Sequence, residues 1–171
     1  MKQPFYGIGQ KLHLVRCSMN KTIIYMVAGG CIFILLAQFV GPELPPVQKN
    51  PSEGIGFDQG EAQIKTWLRT ACYDCHSMET NYPWYASVKP FSWLLGQHIR
   101  KGRAELNFTE WQSYPRRTQL RKLRDMGEEL EQDNMPLKSY TLVHPQAKLS
   151  SQQRDSLIAW TELRARAVLG K

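Results

Sequence analysis

The sequence predicts an all-α protein, with one apolar helix near the N-terminus and a set of short amphipathic helices behind it. Three observations carry this prediction. Apolar residues recur at three- and four-residue spacing in several stretches after residue 58, no stretch alternates apolar and polar residues as a half-buried strand does, and residues 22–40 carry no charge. The chain has 171 residues, enough for one modest domain; 42% are hydrophobic and 22% charged. That composition excludes a disordered chain, a collagen-like fibre and a multi-span membrane protein. The formal net charge of +7 invites a nucleic-acid reading, so the placement of the charges decides.

Residues 1–21 hold Lys2, Lys11, Arg16 and Lys21 and no acid. All fifteen acidic residues lie within 41–171, beside eighteen basic ones, leaving only +3 there. The excess is therefore a flank signal, and no nucleic-acid partner is expected. Residues 22–40, TIIYMVAGGCIFILLAQFV, are expected to form a transmembrane anchor contacting membrane lipid, since a helix of that length spans roughly 30 Å. The basic flank places residues 1–21 in the cytoplasm and residues 41–171 in the periplasm, giving a single-pass inner-membrane protein. Two processed alternatives compete with this. A cleaved signal needs a small-x-small site, which Ala37-Gln38-Phe39 does not supply, and strong apolar sequence continues after the loose lipobox Ala28-Gly29-Gly30-Cys31. A buried core helix is the bland alternative.

Residues 41–57 are rich in Pro, Gly and small polar residues and read as a linker. From residue 58 to 171 the pattern is that of a helical domain. Asp58 or Gln59 is expected to open a helix carrying Ile64, Trp67, Leu68 and Ala71. Residues 77–90, with Pro83 and Pro90, read as loop, and Phe91 to Lys101 as a helix stopped at Gly102. Thr109 caps a brief turn through Trp111. Leu120, Leu123, Met126 and Leu130 mark another helix, ending before Met135-Pro136. Residues 136–149 show no periodicity. Ser150 with Gln153 has capping-box form and opens a last helix presenting Leu157, Ile158, Trp160 and Leu163. All five tryptophans lie between 67 and 160, which points to a large apolar group sharing so small an interior.

Cys72-Tyr73-Asp74-Cys75-His76 is C-x-x-C-H, the attachment signature for c-type haem. Two thiols a helical turn apart add to the two vinyl groups of one porphyrin, and the adjacent imidazole meets the iron as proximal ligand. The expected cofactor is one covalently attached haem c, with its iron. Three other readings compete. A redox C-x-x-C needs a βαβ context that is absent. A zinc site needs Cys72 and Cys75 plus two of His76, His98 and His144. A disulfide across so short a loop is strained. Cys17 and Cys31 fall in the basic and apolar segments, so no disulfide framework is expected.

The distal ligand is expected among Met78, Met126, Met135, His98 and His144. Met78 is too close to His76 to cross the ring. Met135, before Pro136 on a loop after a helix, is preferred, with His98 and His144 as alternatives, because thioether ligation raises the reduction potential. The cluster Arg100, Lys101 and Arg103 beside His98 either pairs with a haem propionate or forms a solvated face. The run Arg116, Arg117, Arg121, Lys122 and Arg124 reads as solvated surface or as a docking patch for an acidic redox partner.

These residues together resemble the bacterial haem-binding-domain family of small, often membrane-anchored c-type cytochromes. The resemblance covers residues 58–165. It rests on Cys72-Tyr73-Asp74-Cys75-His76-Ser77, Tyr82-Pro83-Trp84-Tyr85, Pro90 with Ser92-Trp93, His98, Gly102-Arg103, Leu106-Asn107-Phe108 with Trp111, Met135-Pro136, Tyr140, His144-Pro145, Ala147 with Leu149, and Trp160. It implies a cytochrome c-like helical domain with Cys72, Cys75 and His76 as haem-binding residues, and Met135-Pro136 looks like the family's Met-Pro element. The expected function is one-electron transfer by a membrane-anchored monohaem cytochrome with an unidentified redox partner, rather than catalysis. The alternative is a haem-based sensor or small peroxidase with an open distal site.

Overall fold

The computed structural model describes residues 20–48, 54–58 and 60–170. Residues 1–19 of the expected basic segment, 49–53 of the expected linker and Gln59 at the expected helix start lie outside the described residues. Among the described residues every regular element is helical and none is a strand, as the sequence predicts. The chain divides into two compact units, Met1–Phe39 and Val40–Lys171.

The first unit contains α1, Lys21–Ala37, capped by the Asn20 side chain, which accepts from Thr22 N at 3.2 Å. Its large side chains, among them Ile23, Tyr25, Met26, Phe33 and Leu35, stand exposed. This helix is shorter than the expected transmembrane span of 22–40. The helix has 17 residues, about 25 Å, against a bilayer core of about 30 Å. Among the described residues no helix is long and apolar enough to cross a membrane. The chain tightens as Gln38 N and Phe39 N donate to Leu35 O and Leu36 O, three residues back. Gly41 then takes a φ of 116°, outside helical space, and Pro42 follows.

In the second unit the expected linker is partly a strap fixed to the domain. Its carbonyls accept from domain side chains: Val40 O from Trp93 Nε1 at 3.1 Å, Glu43 O from Arg100, Pro45 O from Tyr82 Oη and Pro46 O from Arg103. Prolines lack the N–H a helix or sheet would use, so this strap is held through acceptors. Further on, Ile55 is buried and donates its N–H to Phe108 O.

Helix α2, Ala62–Ala71, starts later than expected, because Asp58 and Glu61 close a turn on each other first: Glu61 N donates to Asp58 O, and Asp58 N to Glu61 Oε2. A one-turn α3, Tyr73–His76, follows at once. A 3₁₀ turn, Trp84–Ser87, leads to α4, Phe91–Glu105. Gly102 does not stop α4, which runs three residues past it. A second 3₁₀ turn, Phe108–Ser113, is capped by the Asn107 side chain. Then come α5, Arg116–Glu131, and α6, Lys138–Val143, where the sequence shows no period. The capping box at Ser150 and Gln153 forms as predicted and opens α7, Ser151–Leu169.

The core lies where α5 packs along α7 and α2 closes over them. Leu68, Leu123, Leu130 and Leu157 are essentially inaccessible, joined by Phe108, Trp111 and Trp160. Leu163, expected on the inner face of α7, is exposed.

Candidate functional site

Cys72 sits at the break between α2 and α3, with φ −127° and ψ −38°. Its carbonyl accepts from Cys75 N at 3.2 Å and His76 N at 2.9 Å, so 72–76 form one helical turn. That turn puts Cys72 and Cys75 side by side, because residues three apart share a helix face. Both thiols are free and half-buried. Burial pushes the Cys72 thiol up to about 12, with Cys75 adding to the effect. Burial and Asp74 push Cys75 to about 11 against the pull of Arg103. Both are neutral thiols at neutral pH.

His76 is half-buried, and its Nδ1 lies 3.1 Å from Leu106 O. A carbonyl only accepts, so Nδ1 carries the proton and Nε2 keeps its lone pair for a metal. Burial lowers the imidazole pKa; the carbonyls of Leu106 and Gly102 oppose this less strongly. A neutral imidazole whose other nitrogen is fixed by a backbone carbonyl is how metal-bound histidines are ordinarily held.

Three further elements frame the turn: α4, the 84–87 turn and α6. Gly102 of α4 lies against it: a Cβ there would meet Cys75 O at 2.7 Å, so only glycine lets the helix come this close. Arg103 donates from Nε to Ser77 O and from Nη2 to Thr80 Oγ1, while Thr80 Oγ1 itself donates to Asp74 O at 2.6 Å. From α6, Tyr140 Oη donates to Asp74 Oδ2 at 2.7 Å, and burial together with this bond pushes the phenol well up. Tyr140 stacks on His144 at 4.4 Å, and His144 Nε2 meets Tyr85 Oη at 2.8 Å. The elements α3, α4, the 84–87 turn and α6 are thus tied in a ring. They carry five exposed large apolar side chains: Trp84, Phe91, Leu94, Leu142 and Val143.

These features fit a haem. Two neutral thiols share one face beside an imidazole with a fixed tautomer, and the surrounding elements carry apolar side chains left in water, the kind of surface that marks a contact or ligand site. A zinc site does not fit: among the described residues no three His, Cys, Asp or Glu side chains converge.

The other expected residues fall as follows. Met135 is half-buried, on the loop between α5 and α6, and does not belong to the apolar core. Its N–H donates to Glu129 O, and its carbonyl accepts from Arg154 Nη1 at 3.2 Å. Its loop runs on into α6, whose Tyr140 bonds Asp74 of the attachment turn. His144 has both ring nitrogens occupied, by Tyr85 and by Gln146 at 3.4 Å. His98 is half-buried on α4. Met126 packs against the core, and the backbone of Met78 is held by Thr109 Oγ1 and Gln48 N. Arg100 and Arg103 serve the strap and the turn. Lys122 is only 7% exposed and is not part of a surface patch.

Sequence reading named Leu106 and Tyr140 only within the family resemblance, Asp74 within the motif, Gly102 as a helix stop and Lys122 within a basic run, and gave none of them a part in holding the turn. Gly102 offered a signal, being a glycine inside a helix-forming run with no turn after it. The others belong to long-range contacts that periodicity does not report.

A sequence profile described as "Haem-binding domain" matches residues 32–163. No curated protein and no solved structure matches the chain.

Proposed function

This chain belongs to the haem-binding-domain family, and from that premise we propose that it is a monohaem c-type cytochrome passing one electron at a time between partners outside the cytoplasm. Haem binding follows from the family; covalent attachment, electron transfer and location are the proposal. The observation that carries it is the bond from His76 Nδ1 to Leu106 O, on a turn that also presents two free thiols.

Cys72 and Cys75 would hold the haem, each thiol adding its S–H across one vinyl double bond with no net oxidation, and His76 would hold the iron through Nε2, the nitrogen that the Leu106 bond leaves free. Met135 is the proposed distal ligand, on a loop that leads directly into α6. When bound, the haem supplies a reversible one-electron couple. Gly102, Arg103 and Tyr140 keep the turn in one geometry whichever oxidation state is present, which favours electron exchange over substrate chemistry. A redox protein of unidentified kind is the partner.

Location rests on the charged flank and on the attachment motif itself, since exported apoproteins with this motif receive haem outside the cytoplasm. The apolar stretch 22–40 is proposed to seat the protein in inner-membrane lipid, with the haem domain on the periplasmic side.

Carbon monoxide added to the reduced, haem-loaded protein tests the electron-carrier reading. The proposal predicts slow or negligible binding with Met135 present and rapid binding after Met135→Ala, with loss of the near-red charge-transfer band of sulfur-ligated ferric haem. Rapid, complete binding to the unaltered protein overturns it in favour of an open-site sensor or peroxidase.

A further inference from the structure

Lys122 lies in the basic half of α5, where a solvated lysine is expected, yet it is among the buried residues. Its ammonium donates to Glu105 O and stands 4.6 Å from the centre of the Tyr114 ring. Glu105 immediately precedes Leu106, whose carbonyl takes the His76 proton. Asn107 immediately follows, and its N–H donates to Tyr114 Oη at 3.0 Å. The three residues behind His76 are therefore held from both sides by one lysine and one tyrosine. Asn107 is itself buried, and its side chain caps the 108–113 turn, so the segment has little freedom to shift.

We propose that Lys122 and Tyr114 are a tuning pair for the haem iron with opposite signs, Lys122 through its buried charge on the neighbouring Glu105–Leu106 peptide and Tyr114 through the Leu106–Asn107 peptide that accepts from His76. This rests on the haem reading above. A buried cation on the proximal side disfavours the extra positive charge of ferric iron, so Lys122 raises the reduction potential. Burial limits its screening by salt. Tyr114 works the other way. The peptide linking Leu106 to Asn107 accepts from His76 through its oxygen and donates to Tyr114 through its nitrogen. Donation at one end polarises the group and strengthens acceptance at the other. A stronger acceptor draws the Nδ1 proton, makes His76 a more electron-rich ligand and favours ferric iron. The exposed Glu105 side chain carries the opposite charge, so neutralising Lys122 leaves that carboxylate unopposed and moves the potential in the same direction.

The test is the midpoint potential of the full-length, haem-loaded protein and its variants, with haem content recorded for each. Lys122→Met and Lys122→Gln are expected to shift the couple about threefold toward the oxidised form, a fall of roughly 28 mV at about 59 mV per tenfold. Lys122→Arg keeps the charge and restores most of the potential. Tyr114→Phe keeps the ring and shifts the couple by a smaller factor toward the reduced form. Unchanged potentials in both neutral variants overturn the inference. So does an equal fall in Lys122→Arg, which would assign the effect to packing, or a fall in Tyr114→Phe. If neither neutral variant loads haem, Lys122 is an assembly residue and the inference also fails. Absence of attached haem from the unaltered protein is a separate result, and it overturns the proposed function itself.

Discussion

The α5–α7 half and the attachment half of the domain are stabilised in different ways. Along α5 and α7, long regular helices bury Leu123, Leu130, Leu157 and Trp160 against one another. Around α3, helices are short, the chain is fixed by side chains reaching backbone carbonyls, and Trp84, Phe91, Leu94, Leu142 and Val143 remain in water. The apolar core is centred on the first half and reaches the second through Ala71, Tyr73 and Leu106 at its margin. The second is a frame whose apolar side chains gain a partner when a large planar group is bound. The difference teaches where stability and where function reside, and it can be broken experimentally.

Leu157→Ala gives the largest expected change. A fully buried leucine truncated in a packed interface costs about 2–5 kcal/mol. Denaturant unfolding should show that loss with haem attached and without it, because the α5–α7 core does not depend on the ligand. A loss confined to the loaded protein would contradict the division.

Gly102→Ala acts on the other half. The new methyl meets the backbone of Cys75, and relieving that overlap costs about 1–3 kcal/mol. Lower haem incorporation is expected from it, whereas Leu157→Ala at matched expression should leave incorporation per folded molecule unchanged. Equal incorporation in both variants would show that α4 does not set the attachment turn.

Tyr140→Phe removes the bond from α6 to Asp74. Because Asp74 is half-exposed, the expected cost is about 1 kcal/mol. Hydrogen exchange should report it as earlier opening of residues 138–147, with α7 unaffected. Spread of the effect into α7 would mean the halves unfold as one.

The smallest effect is a pH dependence of the unloaded protein. The folded pKa of His76 lies below its ordinary 6.5, so the unfolded chain takes up the proton first as pH falls. Stability is fully present above about 6.5 and declines as pH drops below it. His76→Gln should flatten that decline in urea titrations; an unchanged slope would assign it elsewhere.

The same division explains what the sequence could tell. The helices of the α5–α7 half were legible because long apolar periods and a capping box are local signals; Ser150 and Gln153 form the predicted reciprocal bonds. Cys72, Cys75 and His76 were legible because their chemistry demands a fixed short spacing. The support for that turn was not legible. Tyr140 lies 66 residues from Asp74, and Leu106 lies 30 from His76. α6 itself has six residues, too few to display a period, and it is held by Tyr140 and His144 rather than by an apolar face. Lys122 was misread because charge in a basic run implies solvent, while its ammonium is satisfied internally by Glu105 O and the Tyr114 ring. The apolar stretch was read as a helix through residue 40, but Gly41 and the prolines after it close α1 at Ala37.

The central claim is that Cys72 and Cys75 hold a haem covalently beside His76. Its most direct test is a haem stain on a denaturing gel, run on the full chain from cells with c-type maturation, beside Cys72→Ala/Cys75→Ala. The account predicts a stained band at the chain's 19.7 kDa for the unaltered protein and none for the double variant. An unstained band for the unaltered protein, or a stained one for the double variant, would contradict it.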